Sequence, residues 1–387
     1  MKKALIASTA LVLTAGIAAA DVTISGYGRT GVLYQEDGVR GAIVTDDGDV
    51  YTASEAIVQS RLRMNIDATT STDQGVDFGG RIRIQWDQGD DETTVAPGYV
   101  YVTASGLTVE IGNSNTAYDS AALLYNSEIG VYSRSFGNSR GDFFAFNTDG
   151  YPSYDNTVDL TNQRRNDYMG VMVKYAVAGV NLRASVVDPD QVYDGLGGDD
   201  EKEYSVSADY VWNDSVTLSA AYVKNGAGID DNDQYFVGAE YAFNDKTDIG
   251  LLYFDNGEVL GDDSDLGKTI TLYGSYEVAP LTTINGYVAN NSADSNETDN
   301  AFGIGGSYDL GGAMLAGSVQ RGYNENITAT WACSSTSDPS RSDVTWKERA
   351  LRPLFSFCQV GSWDWTTSPA ASARPNPPQG AHRAASR

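Results

Sequence analysis

The chain of 387 residues carries 52 acidic and 26 basic side chains, a formal charge of −26, with 24 Tyr, 41 Gly, two Cys and one His. So acidic a chain has no footprint for nucleic acid, whose phosphates need clustered Lys and Arg. Two Cys build no disulfide framework and one His builds no His-based metal site, while a hydrophobic share of 41% is enough for a folded protein.

Taken in order, the first twenty residues are an address. Lys2 and Lys3 precede a short apolar stretch from Ala4 to Ile17, and Ala18-Ala19-Ala20 supplies a cleavage pattern that would free Asp21. After Asp21 no apolar run is long enough for a membrane-spanning helix.

The body then alternates with period two. Leu62, Met64 and Ile66 oppose Arg61, Arg63, Asn65 and Asp67; Ile82, Ile84 and Trp86 oppose Arg81, Arg83, Gln85 and Asp87. This pattern marks sheet with one apolar and one polar face. It predicts fifteen strands near 21–34, 56–67, 77–88, 97–104, 107–113, 165–175, 180–188, 204–212, 215–224, 234–243, 247–255, 268–278, 282–290, 300–309 and 313–321. Short connections such as Asn213-Asp214 and Leu310-Gly311-Gly312 alternate with longer acidic ones. That is the rhythm of an all-β, antiparallel up-and-down barrel. Such barrels have an even strand count, so a sixteenth strand should begin near Asn326 and run into the tail.

A soluble β-fold would bury the apolar face, whereas a transmembrane barrel turns it to lipid and lines a lumen with the polar one. Three features favour the second. Tyr34, Tyr210, Tyr222, Tyr241, Tyr253, Tyr276 and Tyr308 recur near strand ends on the apolar parity, as an interfacial girdle requires. The apolar positions are often Ala, Gly or Val, thin for a close-packed core. Fifteen strands suit a channel-sized barrel better than a small core.

The segment Asp21-Val22-Thr23-Ile24-Ser25-Gly26-Tyr27-Gly28-Arg29-Thr30-Gly31-Val32, with Leu107-Thr108-Val109-Glu110-Ile111-Gly112-Asn113 and Tyr308-Asp309-Leu310-Gly311-Gly312, resembles the general diffusion porins of the Gram-negative outer membrane, alphaproteobacterial type. The likeness covers about residues 1–327. It implies a 16-stranded homotrimeric barrel in outer-membrane lipid that passes small hydrophilic solutes and ions. It also implies that the third long loop folds inward and narrows the pore.

By the strand register that loop spans about 114–164. It offers Asp119, Glu128, Asp142, Asp149, Asp155 and Asp159, and the sequence does not say which of them line the pore. Arg29, Arg61, Arg63, Arg81 and Arg83 fall on the lumen parity of the first three strands. A basic wall facing an acidic loop would set a transverse field across the pore. With 17 basic and 48 acidic residues, the body 21–327 carries −31, which points to a cation-leaning pore. The sequence implies no cofactor. Calcium at the clusters Asp46-Asp47-Gly48-Asp49 and Asp230-Asp231-Asn232-Asp233 is a weak alternative to their serving solubility alone, because neither has EF-hand spacing. With no His or Cys in 21–327, a Ser–His or Cys–His nucleophile is unavailable, which argues against an enzyme. The competing function is a secreted or surface β-rich adhesin without channel activity.

The end of the chain differs from the body. Residues 328–387 hold both Cys, the sole His, four of six Trp, six of ten Pro and no Tyr, with seven basic and four acidic residues. Read one frame over from the last base of the Ala329 codon, the stretch Thr330–Ser337 permits Asp-Met-Gly-Val-Phe-Phe, then His or Tyr, then Phe, with a permitted stop entering Asp338. The tail therefore reads as a frameshift product: disordered or unpaired from about Thr330, the last strand lost, and no metal site at Cys333, Cys358 or His382.

Overall fold

The computed structural model describes residues 21–38, 43–44, 50–89, 93–130, 139–142, 145–146, 169–189, 201–258 and 265–337. The alternating segments become strands one after another. β1 to β5 are Asp21–Gln35, Ala56–Ser71, Val76–Asp87, Thr94–Ala104 and Leu107–Gly112. β6 to β10 are Met169–Val177, Val180–Asp188, Glu203–Trp212, Val216–Lys224 and Gln234–Asn244. β11 to β15 are Thr247–Asp255, Lys268–Ala279, Thr282–Asn291, Asn300–Asp309 and Ala313–Arg321, and β16 is Ile327–Ser337. Each pairs antiparallel with its chain neighbours, and β16 pairs with β1, so the sheet closes into a barrel without an edge. Ile43–Val44 and Val50–Tyr51 form a small ladder of their own within the first long loop.

Short turns join the strands at one rim. Asn213 and Asp214 sit at φ 49° and 54°, the left-handed pair that a tight hairpin with the strands' own twist requires. The fifteen expected strands are all present; β2 and β4 have shifted boundaries, and of the strand expected over 165–175 the described part is Met169–Val177, residues 165–168 lying outside the described residues. β2 runs on through Ala68–Ser71, where neutral residues hide the alternation. β4 starts before Pro97, because the ladder slips between Ile82, opposite Gly98, and Ile84, opposite Val95, and so absorbs a residue with no N–H to donate.

The expected loss of the last strand is corrected. β16 pairs with β1 from Thr328 opposite Gln35 to Ser337 opposite Gly26, and with β15 from Ile327 opposite Arg321 to Ser335 opposite Ala313. Thr330 to Ser335 are therefore paired on both sides, and Thr336 and Ser337 with β1 alone. The reason is compositional: the strand carries no charge and keeps period two, with Trp331 outward and 65% exposed between buried Thr330 and Ala332. Residues 338–387, Cys358 and His382 among them, lie outside the described residues.

Burial runs opposite to that of a soluble fold. Val22, Val58 and Ile304 are 61–65% exposed on the outer face, while Ser205, Asp209, Ser219, Gln234, Thr271 and Gln320 are buried inside. Tyr210, Tyr241, Tyr276 and Tyr308 are exposed near the short-turn rim, and Tyr204, Tyr235 and Tyr253 near the other, giving two aromatic belts. Apolar groups can stay outside at this density only where lipid replaces water around them. Among the described residues no helix is long and apolar enough to cross a membrane; the crossing is made by strands.

Candidate functional site

The lumen has two unlike walls. On β1–β3 the inward side chains form a ladder of polar pairs set by strand register: Arg29 opposite Arg61, Tyr27 opposite Arg63, Arg61 opposite Asp87, Arg63 opposite Gln85, Asn65 opposite Arg83 and Asp67 opposite Arg81. Arg61 Nε donates to Asp87, and Arg81 Nε donates to Asp67 at 2.6 Å. Arg63 Nε donates to Gln85 Oε1 at 2.6 Å and Arg83 Nε to Asn65 Oδ1 at 3.2 Å. The guanidiniums of Arg29 and Arg63 lie 5.6 and 5.4 Å from the ring centre of Tyr27. All five expected arginines are thus brought together, and two of them share the wall with a carboxylate. Asp67 and Asp87 were not among the expected site residues. Their signal was available: they sit on the arginines' parity, and the turn Thr72–Gly75 pairs them with Arg81 and Arg61.

The other wall is covered by the loop that follows β5. Its backbone is caught by inward side chains. Ala117 N–H donates to Ser185 Oγ at 2.8 Å, Tyr118 N–H to Ser205 Oγ at 3.2 Å, Ala122 N–H to Asp209 Oδ1 at 2.9 Å and Phe146 N–H to Glu203 Oε2 at 2.7 Å. Further on, the Arg140 carbonyl accepts from Asn256 Nδ2 at 3.0 Å and from Thr269 Oγ1 at 2.6 Å. Tyr118, Leu123, Leu124 and Ile129 pack on Phe236, Leu252, Phe254, Tyr273 and Tyr287, the main apolar core among the described residues. Gly303 makes room for this: a Cβ there would lie 2.5 Å from Ile129 Cδ1.

These contacts fall on β7 to β14. In a closed ring of sixteen strands, β1–β3 lie across from β9–β11, so the loop and the arginines occupy opposite sides of the lumen. Of the expected loop acids, Asp119 accepts from the Tyr125 hydroxyl, Glu128 pairs with Arg140 at 3.2 Å, and Asp142 is exposed. Asp149, Asp155 and Asp159 lie outside the described residues. Burial pushes the phenol of Tyr118, in the loop, far above its ordinary value, so it stays neutral.

Among the described residues, no group of three or more His, Cys, Asp or Glu converges as a metal would need. Of the two clusters considered for calcium, the first lies outside the described residues. In the second, Asp233 accepts from the Tyr222 hydroxyl at 2.7 Å and from Asn225 N–H at 3.2 Å.

A family model for the Gram-negative porin matches residues 7–327. A porin of Fuscovulum blasticum is 41% identical over 311 residues, covering 79% of this chain and 97% of that protein. A solved triple variant of the Rhodopseudomonas blastica porin, 38% identical, superposes with a TM-score of 0.68 over 82% of this chain and all of that one. Another variant of that porin, 39% identical, gives 0.67 over the same shares. With sequence and barrel agreeing over the same span, the chain belongs to the Gram-negative porin family and is a diffusion channel of the outer membrane.

Proposed function

We propose that small hydrophilic solutes and ions cross the barrel through the gap between the arginine wall of β1–β3 and the loop after β5. The observation that carries this reading is the loop's seating on β7 to β12, across the lumen from Arg29, Arg61, Arg63, Arg81 and Arg83. Guanidiniums on one side and carboxylates on the other orient dipolar solutes, and apolar solutes are penalised because they must displace ordered water. Planar-bilayer recording tests it. The protein is expected to give stepwise conductance. Arg61→Ala with Arg63→Ala should enlarge each step and move the reversal potential in a salt gradient toward cations. Steps and reversal potential that stay as in the parent protein would overturn the reading.

The family supports a homotrimer in outer-membrane lipid, checked by the mass of the detergent-extracted complex; a single-chain mass refutes it. The channel has no enzymatic role in this reading, which the lack of Cys and His in residues 21–327 supports.

A further inference from the structure

We propose that Arg140 is the positioning residue of the pore loop. It clips the loop's two arms into one rigid unit, and Glu128 is its partner rather than a charge of the pore. This rests on the reading that the loop bounds the pore.

The two described arms, 113–130 and 139–142, flank residues 131–138. They are joined three times. Arg140 Nη2 meets Glu128 Oε1 at 3.2 Å, with the side chains only 5% and 18% exposed. The same guanidinium lies 4.6 Å from the ring centre of Tyr125. Ser127 and Ser139 bond through their hydroxyls at 2.8 Å. From this clip the contacts run outward. The Tyr125 hydroxyl donates to Asp119 on the first arm, while the Arg140 and Ser139 carbonyls accept from Asn256, Thr269 and Thr271 on the wall. One side chain thus ties arm to arm while its own carbonyl ties both to the barrel.

The residue type matters. A planar guanidinium can stack on a ring and hold a carboxylate at its edge together, which an ammonium does not do. The Glu128 carboxylate is left with little contact with water, so its field acts mainly on Arg140 a few ångströms away. A loop locked at both arms presents one pore width. A loop whose arms part samples several, since loop segments with few tethers open locally at little free-energy cost.

The test is single-channel recording of the full chain in planar bilayers, with variants Arg140→Gln, Arg140→Lys and Glu128→Gln beside the wall variant Arg61→Ala/Arg63→Ala. Arg140→Gln should split the single conductance level into several and lower the closing voltage. Glu128→Gln should do the same with no shift in reversal potential. Arg140→Lys, which keeps the charge and loses the stack, should recover part of the single-level behaviour. A reversal potential shifted by Glu128→Gln makes that residue a pore charge and overturns the proposal. A silent Arg140→Gln beside an active wall variant overturns the clip alone, while a silent wall variant overturns the underlying reading. Should Arg140→Gln fail to assemble, Glu128→Gln and Arg140→Lys decide on the same readouts.

Discussion

The two sides of the lumen use the same residue types in opposite ways. On β1–β3, Asp67 and Asp87 meet Arg81 and Arg61 with 17–36% of each side chain open to the lumen. On β8, Asp209 and Glu203 are buried, and each binds loop backbone N–H groups that would otherwise be desolvated without partners. A carboxylate on the open wall shapes what the pore attracts; a carboxylate under the loop holds the loop in place. The chain's large negative charge is therefore a poor guide to selectivity, because part of it serves as anchorage.

The comparison breaks or sharpens first at Asp209. Asp209→Ala removes the acceptor of Ala122 N–H and of Ser219 Oγ and strands Arg183, its ion-pair partner. A buried charge left alone costs about 3–5 kcal/mol. The expected outcome is a clearly lower unfolding temperature of the detergent-solubilised barrel, read by the heat-modifiable shift on a gel.

Gly130 comes next. It sits at φ +74°, and a Cβ there would fall 2.3 Å from Ser318 Oγ. Gly75, at φ +76° with nothing within 4 Å, is its control on the open wall's turn. Gly130→Ala should lower the unfolding temperature by more than Gly75→Ala, which carries only the left-handed strain of about 1 kcal/mol. Equal losses would mean that the loop is not seated tightly.

Thr330→Val should cost about 1 kcal/mol, since it deletes the buried hydroxyl pair with Ser318 at 2.6 Å. The smallest effect on stability belongs to Asp87→Ala, at most about 1 kcal/mol for a part-exposed pair. Yet it frees the charge of Arg61 and should move the reversal potential toward anions, with Arg61→Ala added to it bringing the potential back. If Asp87→Ala destabilises as much as Asp209→Ala, the distinction between the walls fails.

The strands were legible because period two is written locally, two residues at a time. The shared face of the five arginines was legible for the same reason; Asp67 and Asp87, absent from the expected residues, could have been paired with them from one turn. The loop's seat was not. Ser185, Ser205, Asp209 and Thr269 lie dozens of residues from the loop atoms they hold, and nothing local marks a serine as a receptor for a distant amide. Arg140 and Glu128 stand in a segment without periodicity, where Glu128 read as one acid among six. β16 was misjudged for a different reason: an unfamiliar composition hid a pattern that still alternates. Whether a shifted frame produced it is decided by the gene, where a Phe codon followed by a stop is expected one frame over after Ala329; a gene lacking them refutes it.

The hydroxyl pair of Ser318 and Thr330 is the point where the last two strands meet, and Gly130 rests on both. The loop's seat is complete only when β16 is in place, because Thr330 supplies one of the atoms that close round Gly130. The strand that closes the wall thus also closes the loop's seat. That contact is non-local, joining residues two hundred positions apart. A barrel without β16 would be both unsealed and short of one tether on its loop, so an assembly pathway that checks for closure would in effect be inspecting the loop's seat as well.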